Sequence, residues 1–202
     1  DSDIFNRFKL NGCNFVQTWD GLVYHLTSRG SRFNTFSGGE PGKKNSKEWQ
    51  YTNHKNIRNF IRKWGTPVKH DSQMMPIVIP KYDIGIVVKN CPQSILYELE
   101  PWCSTIYTDW GHKTYIDTEQ QNTLLDLKDR VKSRIEDEID NDIVVEFNAQ
   151  EITSEQFNYI AQLPEILSND EELEVGEFNL GIFKVTINKI KTYEEGLIKN
   201  VF

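Results

Sequence analysis

The sequence predicts an α/β protein of the α+β kind, and three observations carry that expectation. Segments of helical period alternate with short β-branched runs between residues 82 and 191. The turn-rich junction Gly65-Thr-Pro-Val-Lys-His-Asp71 coincides with a change of charge, which divides the chain into parts 1–72 and 76–202. No segment repeats, so neither part reads as a solenoid.

Taken in order, Asp3 to Lys9 is expected as a helix, because Ile4, Phe5 and Phe8 share one face and Asn11-Gly12 stops it. Phe15–Trp19 and Leu22–Leu26 are expected as short strands. The next twenty residues, with Gly30, Gly38, Gly39 and Gly42, have the composition of a loop. Ser46 is placed to cap a helix running to Trp64, on which Trp49, Ile57, Phe60, Ile61 and Trp64 recur near a 3.6-residue period. Gly65 and Pro67 end it.

In the second part Tyr82–Lys89 reads as a strand, Pro92–Leu99 as a short helix and Thr114–Ile116 as a strand. A long helix is expected from Thr118 to about Ile139, then a strand over Ile143–Phe147. Thr153 or Ser154 caps a helix carrying Phe157, Ile160, Ala161 and Leu163. Residues 175–180 and 181–191 form a closing hairpin, with room for a bulge because Ile182, Val185, Ile187 and Ile190 break strict alternation. This pattern suits a small α+β domain, and by itself it names no activity.

Composition narrows the function classes. A formal net charge of −7 over 202 residues argues against a general nucleic-acid binder, which needs a basic face. The longest apolar stretch, Pro76 to Val88, is broken at Pro80, Lys81, Tyr82 and Asp83. It falls short of the roughly 18 residues that span a bilayer. Cys13, Cys91 and Cys103 are odd in number and far apart, which excludes a fully paired framework and fits reduced thiols in a cytoplasmic protein.

Chemistry concentrates at the start of the chain. Asp1-Ser-Asp3-Ile-Phe-Asn-Arg7 sets two carboxylates at a helix N-terminus, where the helix dipole favours negative charge and where either could serve simply as a cap. The string also resembles the acceptor-side motif of inverting GT-A-fold glycosyltransferases, of the family 2 kind and the β-1,4-galactosyltransferases. There a Glu-Asp-x-Asp sequence opens a helix continuing Asp-Ile/Leu-Phe/Tyr-x-Arg. The resemblance implies that residues 1–72 are the C-terminal portion of such a catalytic domain, with 76–202 an accessory α+β domain. It implies Asp1 as the general base that deprotonates the acceptor hydroxyl, and Asp3 as an acceptor-side or capping carboxylate.

Further pieces follow in the order the resemblance requires. His25, in Val23-Tyr-His-Leu-Thr-Ser28, takes the place of a ligand to Mn²⁺ or Mg²⁺ on the donor diphosphate. Arg29 and Arg32, in Thr27-Ser-Arg-Gly-Ser-Arg-Phe33, suit phosphate oxygens, and read without the resemblance they belong to a solvated basic loop. Lys63-Trp-Gly65 reads as packing. The metal-binding Asp-x-Asp and the nucleotide-binding half are expected upstream of Asp1, so the isolated fragment is expected to be inactive. The implied partners are a nucleotide-diphospho-sugar donor and a glycan or other hydroxyl acceptor. A non-enzymatic assembly module built on 76–202 is the competing expectation. Elsewhere, His54, His70 and His112 read as surface residues. Leu99-Glu-Pro-Trp-Cys103 reads as the close of a helix that packs its Trp, and Glu136–Asp142 as a solvated helix end.

Overall fold

The computed structural model describes residues 2–16, 18, 20–21 and 46–199. Two helices come first, α1 (Ser2–Leu10) and α2 (Lys47–Trp64). They are followed by β1 (Ile84–Lys89), α3 (Gln93–Leu99), a 3₁₀ turn at Glu100–Trp102 and β2 (Thr105–Thr108). Then come α4 (His112–Glu119), α5 (Leu127–Arg130), β3 (Val131–Ser133) and β4 (Ile143–Asn148). The series closes with α6 (Ser154–Asn169), β5 (Gly176–Leu180), β6 (Phe183–Ile187) and α7 (Glu194–Lys199). The class is α/β, as expected. Six strands form one mixed sheet in the order β3-β2-β1-β4-β6-β5. β1 pairs parallel with β2 and β4, β2 pairs parallel with β3, and β6 runs antiparallel to both β4 and β5.

Burial explains the parallel centre. Five of the six residues of β1 are buried, which a strand achieves only when both sheet faces are covered. Ile84, Ile86 and Val88 point into the main core, with Ile106 from β2, Val145 and Phe147 from β4, and Phe183 and Val185 from β6. Leu96 and Leu99 of α3 and Ile160, Leu163 and Leu167 of α6 pack on them. On the opposite face Val87, Tyr107 and Val144 make a smaller cluster. Phe147 and Phe183 meet edge to face at 4.9 Å.

Local signals fix most boundaries. The Ser46 hydroxyl accepts from Trp49 N at 3.2 Å to start α2, and Gly65 ends it at φ 76°, a left-handed conformation that favours glycine. Thr153 and Gln156 form a reciprocal capping box at the start of α6. The closing hairpin is a tight one, Leu180 pairing with Phe183 across a two-residue turn, with Gly181 at φ 62° and no bulge in the register.

Three expectations are corrected. Phe15 and Val16 carry no strand. Thr114–Ile116 lies inside α4, while the strand is Thr105–Thr108. The long helix over 118–139 is broken into α4, a 3₁₀ turn, α5 and β3, followed by a turn and bend over 134–137 and an exposed irregular stretch over 138–140. Side chains cause the break: Asp126 caps the new helix at Lys128 N, and Gln120 Oε1 accepts from Leu127 N. Val131 then pairs with Ile106 across the sheet.

At Gly85 the sheet admits no side chain. A Cβ there would sit 2.3 Å from Asn141 Oδ1. Asn141 is buried and joins Tyr107, whose hydroxyl donates to Oδ1 at 3.0 Å, to Asp83, which accepts from Nδ2 at 2.8 Å. Gly85→Ala is therefore expected to displace Asn141 and cost about 1–3 kcal/mol. Urea unfolding measures this, and a loss below about 0.5 kcal/mol would mean that Asn141 moves freely.

α2 is fixed to the remainder by a buried ionic cluster. Arg58 and Arg62, one turn apart, face Glu100 in the 3₁₀ turn and Glu119 at the end of α4. Arg62 Nη2 lies 2.7 Å from Glu100 Oε2 and 2.6 Å from Glu119 Oε1. Arg130 Nε reaches Glu100 Oε1 at 2.8 Å. The Tyr115 hydroxyl donates to Glu100 Oε2 at 3.0 Å and accepts from Arg58 Nη2 at 2.8 Å. Burial pushes the Glu100 carboxyl up, but Arg130 and then Arg62 outweigh it and hold the group at about 2. Lys81 completes the attachment by donating to the carbonyls of Arg62 and Lys63 at 3.1 and 2.5 Å, at the C-terminal end of α2.

Candidate functional site

Of the five predicted site residues, Asp3 lies within the described part of the chain. Asp1, His25, Arg29 and Arg32 lie outside the described residues. Asp3 sits in the first turn of α1 with its side chain 37% exposed, at a cleft between α1 and α2. Two donors from the end of α2 hold it. Trp64 Nε1 donates to Asp3 Oδ1 at 2.9 Å, and Lys63 Nζ lies 2.6 Å from the same oxygen. Trp64, 1% exposed, is thus packed as its sequence context predicted, and its indole N–H fixes a carboxylate as well. Arg7 of the same motif donates from Nη2 to the Ile198 carbonyl at 3.1 Å and ties α1 to α7.

A second constellation lies at the carboxyl edge of the parallel strands. Strand order reverses direction between β1 and β4, the topological switch point beside which open α/β sheets bind ligands. Asn90 follows β1 at φ 54°, a backbone conformation uncommon outside glycine. Its N–H donates to Asp109 Oδ2, just past β2, at 2.7 Å, and its Nδ2 donates to Asn148 Oδ1, at the end of β4, at 3.3 Å. Arg134, following β3, pairs with the other oxygen of Asp109, and its own N–H donates to the Thr108 carbonyl at 3.0 Å. Burial raises the Asp109 carboxyl, but Arg134 and the Asn90 N–H outweigh it and lower its pKa. Trp110, 55% exposed, stands beside this group.

Asn90 and Asn148 bind each other through their amides, and Asn148 Oδ1 also accepts from Gln150 N at 3.1 Å, so these residues largely satisfy one another. They do not fit a divalent cation. Asp109 is the one carboxylate in this group, and it is engaged by Arg134. Among the described residues no group of three or more His, Cys, Asp and Glu side chains is arranged to hold a metal ion.

Sequence reading missed this edge because its members come from four separated segments joined only by strand order. The one local signal was an apolar run ending in Lys89-Asn90. Among the described residues no helix is long and apolar enough to cross a membrane. No family model, curated protein or solved structure matches the chain.

Proposed function

We propose that the protein is a glycosyltransferase that moves a sugar, with inversion, from a nucleotide-diphospho-sugar to a hydroxyl acceptor. The observation that carries this reading is the Asp1-Ser-Asp3-Ile-Phe-Asn-Arg7 helix start, with Asp3 held by Trp64 and Lys63 at an open cleft. In it Asp1 takes the proton of the acceptor hydroxyl, and Asp3 is the acceptor-side carboxylate, kept oriented by two donors from α2. Arg29 and Arg32 contact the donor diphosphate. His25 would hold Mn²⁺ or Mg²⁺, which supplies neutralisation of the charge developing on the leaving group. The parallel half of the sheet, whose strand order reverses between β1 and β4, is supporting context, since the carboxyl edge of such sheets commonly binds nucleotides. A cytoplasmic setting belongs to the same reading, supported by the free thiols of Cys91 and Cys103 in the core.

Asp1→Asn in the full-length protein is expected to lower turnover about a hundredfold or more while donor affinity stays unchanged. Turnover equal to that of the parent would remove the assignment. A second reading, a binding module without chemistry, is favoured for the 76–202 part by the amide-lined edge at Asn90 and Asn148. A manganese titration followed at the His25 ring by NMR separates the two, because the binding reading expects no metal-dependent change there.

A further inference from the structure

We propose that the cleft between α1 and α2 is a subsite for a neutral glycan, in which Asn53, Asn56 and Phe60 read the sugar. This deepens the transferase reading and rests on it for the word acceptor. The argument starts from three asparagines spaced three residues apart on α2. Asparagine is one of the weaker helix formers, so three within about two turns need a reason. Asn59 has one: its Nδ2 donates to the Asn122 carbonyl at 2.8 Å and its Oδ1 accepts from Arg62 Nη1 at 2.9 Å. Asn53 and Asn56 make no side-chain hydrogen bond among the described residues, and both line the cleft.

The remaining lining agrees in chemistry. Both contacts to Asp3 fall on Oδ1, leaving Oδ2 able to accept from a hydroxyl. Ser2 adds a hydroxyl, and Phe60, whose ring lies 6.1 Å from that of Trp64, supplies an aromatic surface. Sugars need this combination: amides that both donate and accept, a carboxylate that accepts, and an aromatic face for the C–H side of a pyranose. None of the described lining residues is a lysine, arginine or histidine, a lining that suits a neutral sugar better than a diphosphate. Its volume, about 570 Å³, lies within the range of small-molecule sites and admits a disaccharide.

The test titrates the ¹⁵N-labelled chain with lactose, cellobiose and maltose, with glycerol as control, and follows the side-chain amide signals of Asn53 and Asn56. Saturable shifts with at least one disaccharide are expected. Asn53→Leu and Asn56→Leu, both at positions without a side-chain hydrogen bond among the described residues, should each weaken that affinity about tenfold while leaving the urea midpoint unchanged. No saturable shift with any of the three sugars, or equal shifts with glycerol, would overturn the proposal. The two readings fail separately. Glycan shifts retained in a protein whose turnover survives Asp1→Asn would leave a sugar-binding cleft and no Asp1 chemistry. Turnover lost in Asp1→Asn without any glycan shift would sink the cleft alone.

Discussion

Glu100→Gln should destabilise the protein by about 3–5 kcal/mol, the cost of removing one partner from a buried ion cluster. Glu100 is fully buried and serves Arg58, Arg62 and Arg130 together. With Glu119 it balances three guanidinium groups by two carboxylates, and Tyr115 adds a neutral hydroxyl. A glutamine of the same shape keeps one acceptor but turns an NH₂ toward guanidinium donors and leaves three cations facing one carboxylate. Arginine does not shed its proton, so the excess charge stays buried.

The same group fixes the acid limb of stability. Its folded pKa, about 2, lies below the ordinary carboxyl value of 4.5. Its contribution is therefore fully present above about pH 4.5 and is lost as pH falls toward 2, since the unfolded chain takes up the proton first. Urea unfolding of parent and variant across that range should show the difference between them shrinking with acid. A loss under about 1 kcal/mol at neutral pH would mean that water reaches the cluster.

This cluster also marks where the sequence stopped being readable. α2 was legible from end to end, because Ser46, the apolar stripe and Gly65 are local signals. β1, β4 and the Thr153 capping box were legible for the same reason. Arg58 and Arg62, by contrast, sit one turn apart as solvated helix charges commonly do, and their carboxylates lie 38 to 61 residues away. Nothing near Glu100 in the sequence announces that it is a hub. β2 was missed because four residues, Thr105–Thr108, are too few to show a period, and β3 because its three residues become a strand only by pairing with β2. The carboxyl-edge group of Asn90, Asp109, Arg134 and Asn148 fails for a further reason. Its proximity is a product of strand order, which no spacing in the chain encodes.

Trp64→Ala should cost about 3–5 kcal/mol, as removal of a large buried ring does, whereas Trp64→Phe should cost only about 1–2 kcal/mol. The difference separates two roles that the side chain combines. Its ring lies against Phe60 at 6.1 Å, while its N–H holds Asp3. Phenylalanine keeps most of the packing and deletes the donor, leaving Lys63 as the partner of the Asp3 carboxylate. Because Asp3 is partly exposed, water replaces the lost bond in part, which places the expected cost toward the lower value. In the transferase reading the consequence for function is larger than for stability. Asp3 loses one of its two constraints, so the KM for acceptor should rise in Trp64→Phe while donor affinity, which this cleft does not touch, stays constant. Equal losses of stability in the two variants would assign the indole's whole contribution to its hydrogen bond. An unchanged acceptor KM in Trp64→Phe would detach Asp3 from the acceptor, leaving the cap of α1 as its role.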